Sequence, residues 1–151
     1  MQSTQILKKY FPDFISFLFI FLFVYAAVSK LVDFSSFNAQ LAQSPLLTGF
    51  TGWIILIIPV IEIMIAILLS INRLRLKGLY ASFTIMIMFT VYIIVILNFS
   101  EFIPCSCGGV LQHMSWKTHL AFNIVLVLLA ALSILRLETY KMRTTKESKL
   151  Y

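Results

Sequence analysis

The chain has 151 residues, 60% of them hydrophobic and 12% charged, with a formal net charge of +6. A soluble domain carries roughly 25% charged residues, so composition excludes a water-soluble globular protein. The basic excess has a membrane explanation and needs no nucleic acid, because basic flanks of membrane helices face the anionic cytoplasmic leaflet.

Four apolar blocks, near 14–29, 53–71, 79–97 and 120–137, punctuate the chain. Each approaches the ~20 residues a helix needs to cross about 30 Å of hydrocarbon. Backbone groups that leave water must pair within their own segment, which selects helices, and no alternating barrel-type strands are visible. The expected fold is all-α, a single integral membrane four-helix bundle over 1–151, with helices at about 12–32, 51–72, 77–98 and 116–138 and a frayed, charged tail at 139–151.

The first block follows Lys8 and Lys9 and ends near Ala26 and Ala27, as a secretory signal would. With the chain beginning at Met1, the expectation is a retained transmembrane helix. Its phenylalanines, Phe14, Phe17, Phe19, Phe21 and Phe23, offer aromatic surface all round, to lipid or to a partner subunit.

Lys8, Lys9, Arg73, Arg75, Lys77, Arg136, Lys141, Arg143, Lys146 and Lys149 make ten of the twelve basic residues, and four crossings put them on one side. Lys30 and Lys117 remain for the other. Both termini are therefore expected in the cytoplasm, in a bacterial inner membrane. Two connections face outward. The first, 31–52, is expected to hold a short interfacial helix around 34–42.

In the second block, Glu62 lies nine residues past Trp53, about 14 Å along a helix and near mid-membrane. An ionised carboxylate there costs at least about 2.5 kcal/mol by insertion scales. Glu62 is thus expected to be protonated or hydrogen-bonded inside the bundle, with Tyr25, Ser29, Tyr92 and Asn98 as candidate partners. Pro59, one turn earlier, frees a backbone carbonyl beside it.

The second outward connection, 99–118, contains IPCSCGGVLQH. It places Cys105 and Cys107 in a compartment where disulfides persist. A disulfide across one intervening residue closes a very small, strained ring. Strain favours exchange over stapling, and so short a loop gains little from chain entropy. Gly108 and Gly109 leave the following backbone free to turn. The thiols also sit near His113, Met114 and His119, a donor set of thiolate, thioether and imidazole suited to copper or zinc, in a spacing that matches no standard zinc pattern. Redox exchange, metal handling and an idle or structural turn all stay open.

Ser115 is a fitting N-cap for the fourth helix. Trp116, His119 and Asn123 then share one face at i, i+3 and i+7. They are helix–helix hydrogen-bonding groups, or a polar lining for a cofactor. His119 near two thiols is a credible proton acceptor and can stabilise a thiolate.

Four helices, Pro59-x-x-Glu62, the C-S-C-G-G segment, W-x-x-H-x-x-x-N from Trp116 to Asn123, and VYAAVSKLVDF at the end of the first helix resemble the DoxX-like membrane proteins and, among them, the methylamine utilisation MauE family. The resemblance spans about 12–138. It implies extracytoplasmic redox work with a periplasmic thioredoxin-like or disulfide-containing partner. Cys105 and Cys107 would be the redox pair, with His119, Trp116 and Asn123 in support and Glu62 as an intramembrane polar anchor. Related bundles use a quinone, usually with C-x-x-C where this chain has C-x-C. A non-catalytic subunit scaffolding a larger complex is the alternative.

Overall fold

The computed structural model describes residues 2–43, 51–99 and 115–148. Five helices are described: α1 (Gln2–Val32), α2 (Phe34–Gln43), α3 (Thr51–Ser70), α4 (Arg75–Phe99) and α5 (Trp116–Ser148). α1, α3, α4 and α5 are long and apolar enough to cross a membrane. They pack in the cyclic order α1, α3, α4, α5, while α2 lies against α3 and α1.

Helical spacing on α1 turns Ile15, Phe19, Phe23 and Ala27 inward, with the Phe19 and Phe23 rings stacked at 5.8 Å between centroids. They meet Ile65, Ala66 and Leu69 of α3, Leu79 and Met86 of α4, and Leu126, Ala130 and Ile134 of α5. Phe14, Phe17 and Phe21 point outward, as do Met64, Met88 and Leu128. In water such a surface would be untenable; in hydrocarbon it is the solvated face.

Small groups set how closely the helices approach. A Cβ on Gly78 would lie 2.9 Å from the Leu69 backbone nitrogen, so α3 and α4 touch where α4 has no side chain. Two buried serines close their hydroxyls onto the preceding turn: Ser16 donates to the Pro12 carbonyl at 2.7 Å and Ser82 to the Gly78 carbonyl at 2.8 Å.

Two helices exceed the expected limits. α1 starts at Gln2 rather than near 12, and Pro12 sits inside it. α5 continues through the expected frayed tail to Ser148. Hydropathy reports only the stretch that crosses lipid. Helical hydrogen bonding continues into water wherever residues such as Lys141, Met142 and Glu147 sustain it. α2, at Phe34–Gln43, falls where a short helix was expected around 34–42. Asp33 alone separates it from α1, and its carbonyl accepts the Phe37 amide at 3.1 Å as the first bond of the new helix.

Polar contacts gather at the end of the bundle where α4 begins and α5 finishes. Arg75 bonds Asp13 and Asn72, Tyr80 donates to Glu138 at 2.7 Å, and Arg136 lies 4.2 Å from the centroid of Phe11.

Candidate polar site inside the bundle

A lysine–glutamate pair within the spans dominates the opposite end. Lys30 Nζ donates to Glu62 Oε1 at 2.7 Å, with side-chain exposures of 16% and 1%. Its ammonium also donates to the Ala26 carbonyl at 3.3 Å. The Phe37 ring of α2 faces it, with its centroid 5.9 Å away.

Side-chain direction explains why residues at different depths meet. A helical Cα–Cβ bond leans toward its own N-terminus. Lys30, near the end of α1, therefore reaches back along the bundle. Glu62, midway along the returning α3, leans toward the α3 start. The glutamate is hydrogen-bonded, as expected for a carboxyl at that depth, but its partner is Lys30 rather than Tyr25, Ser29, Tyr92 or Asn98. Asn98 instead donates to its own helix, at Ile94. Lys30, counted among outward flanking charges by position alone, belongs to the interior.

The pair neutralises two charges that would each be costly alone in hydrocarbon. Deleting one partner from a buried pair costs about 3–5 kcal/mol, because the other charge is left uncompensated.

α5 brings further polar groups to the same end of the bundle. Ser115 caps it: the Thr118 amide donates to Ser115 Oγ at 3.3 Å, and the His119 amide to the Ser115 carbonyl at 2.9 Å. The Trp116 and His119 rings lie 6.2 Å apart and tilted by 31°. Asn123 follows on the same face at 4% exposure.

Two buried polar atoms of these residues have no hydrogen-bond partner among the described residues: Glu62 Oε2 and His119 Nδ1. Each unmet buried polar atom costs roughly 1–3 kcal/mol, so such atoms call for an occupant. Cys105, Cys107, Gly108, Gly109, His113 and Met114 lie outside the described residues. Among the sequence candidates, Glu62 thus meets Lys30, while Trp116 and His119 lie together on the first turn of α5, with Asn123 one turn deeper. Lys30 is the functional candidate that composition concealed. Its signal was the single lysine inside VYAAVSKLVDF, one helical turn after Ala26.

Four spans enclosing a buried ion pair define a multi-pass membrane protein. Over residues 8–136 the chain matches the family model described as methylamine utilisation protein MauE, and it belongs to that family. No curated protein and no solved structure matches it.

Proposed function

We propose that this MauE-family membrane protein supports extracytoplasmic thiol–disulfide exchange through Cys105 and Cys107, with a thioredoxin-like or disulfide-containing periplasmic partner. Both termini are then cytoplasmic and the membrane is a bacterial inner membrane. The family name makes maturation of a methylamine-utilising enzyme the natural setting. The observation that carries the reading is the place of His119. It stands on the first turn of α5, twelve residues after Cys107, with a buried nitrogen that lacks a partner among the described residues.

In the direction of partner reduction, one cysteine loses its proton to His119 and attacks a sulfur of the partner disulfide. A mixed disulfide forms and a partner thiolate leaves, taking up that proton. The second cysteine then attacks the mixed disulfide, so a Cys105–Cys107 bond forms and the partner departs as a dithiol. Two electrons and two protons pass to the partner, and the reverse direction uses the same bonds.

A quinone, implied by the resemblance to related bundles, fits these residues poorly. Its carbonyls only accept hydrogen bonds. Lys30 can donate to one, but Glu62 Oε2 needs a donor that an oxidised ring lacks. No step is therefore routed through it.

Thiol trapping in cells tests the exchange. Cys105→Ser or Cys107→Ser should hold a partner covalently through the remaining thiol and abolish turnover. Wild-type activity in both variants overturns the reading. Stoichiometric copper or zinc in the purified protein would favour metal handling by Cys105, Cys107, His113, Met114 and His119 instead. Stoichiometric protein partners with activity indifferent to thiol blocking would favour a scaffolding subunit.

A further inference from the structure

The hydrogen-bonding pattern around Lys30 specifies an occupant more narrowly than the fold does. An ammonium has three donors. Glu62 Oε1 and the Ala26 carbonyl take two of them, at 2.7 and 3.3 Å, and the side chain keeps a 16% exposed edge. Beside this spare donor stands Glu62 Oε2, an acceptor on a side chain 1% exposed, with no partner among the described residues.

The site thus offers one donor and one acceptor, beside the ring of Phe37. A cation would be repelled by Lys30, and an anion by Glu62. A carbonyl could take the lysine proton but would leave Glu62 Oε2 empty. A hydroxyl meets both demands, its oxygen accepting from Lys30 while its hydrogen goes to the carboxylate. We propose that Lys30 and Glu62 form a binding site for a neutral O–H group, supplied by internal water or by an apolar alcohol or phenol arriving from the lipid. This deepens the reading of Glu62 as part of a polar pocket but needs neither cysteine.

The test uses the full-length Trp53→Phe/Trp116→Phe/Phe37→Trp protein in lipid nanodiscs, whose one indole replaces the ring that faces Lys30. The probe is 4-bromophenol, with 4-bromoanisole as the control that keeps the ring and loses the O–H. In parallel, the O–H stretch of a bound water is sought by infrared difference spectroscopy between ordinary water and water labelled with oxygen-18. The band is assigned by its absence from the charge-neutral Lys30→Leu/Glu62→Leu double variant, which avoids the folding defect of a single unpaired charge.

Saturable quenching by the phenol, absent with the anisole and weakened at least tenfold in the double variant, identifies a lipid-borne hydroxyl. A water O–H band that moves with oxygen-18 and is missing from the double variant, without saturable phenol quenching, identifies water. If quenching is unsaturable or indifferent to the O–H, and no such band is present, the proposal is overturned. The Cys105→Ser/Cys107→Ser protein should behave as wild type throughout, so failure of the thiol chemistry and failure of this site are read separately.

Discussion

Lys30 and Glu62, 32 residues apart in sequence and on neighbouring helices, meet at 2.7 Å inside the membrane-spanning bundle. The pair makes the α1–α3 contact specific, because hydrocarbon offers no other counter-ion to either group. Removing one charge should be far worse than removing both. Lys30→Met and Glu62→Leu singly should each lower stability by about 3–5 kcal/mol, while an apolar double variant should recover most of the loss. Equilibrium unfolding in mixed micelles measures this. Equal losses in the single and double variants would remove the pair from any role in stability.

The same relationship shows what could be read from the residues and what could not. Long apolar blocks revealed the four spans, since length and hydropathy alone decide whether a helix fits the bilayer. Ser115 was legible as a cap because a hydroxyl directly before Trp116 satisfies an amide of the first turn. Lys30 was not legible as Glu62's partner. Its position suggests an outward flank, and only the backward lean of its side chain brings it inside. The true start of α1 and the true end of α5 were hidden for another reason: those outer turns are polar and carry no signal of crossing. The cysteine segment, most distinctive in sequence, lies outside the described residues, so the interior cluster supplies the structural part of the site.

Gly78 separates backbone packing from side-chain chemistry. Gly78→Ala puts a methyl within 2.9 Å of the Leu69 backbone nitrogen, which cannot swing aside as a side-chain tip could. Overpacking of this kind costs about 1–3 kcal/mol. Gly52→Ala is the control, since nothing lies within 4 Å of the added methyl. The two variants should differ clearly in unfolding midpoint. Matching midpoints would mean that α3 and α4 can separate at this point without cost.

Ser115 holds the turn that carries Trp116 and His119. Ser115→Ala removes the acceptor of the Thr118 amide and should cost about 1 kcal/mol. The loss should be local, appearing as faster hydrogen exchange at residues 116–119 with little change deeper in α5. Ser115→Asp retains an acceptor and should restore slow exchange. If alanine leaves protection at His119 unchanged, the first turn is held by something other than its cap.

Sidedness decides whether the thiols can meet an oxidised partner at all. With four crossings, the basic residues at the α3–α4 turn and in the second half of α5 would oppose the segment that joins α4 to α5. On the proposed orientation, the charge bias puts that basic end in the cytoplasm. A membrane-impermeant maleimide applied to intact cells, after mild reduction, should therefore label Cys105 and Cys107. A cysteine replacing Arg73 in the Cys105→Ser/Cys107→Ser background should be labelled only after the membrane is opened. The opposite pattern would put the pair in a reducing compartment, where a strained disulfide across one residue would not persist, and the exchange mechanism would fail with it.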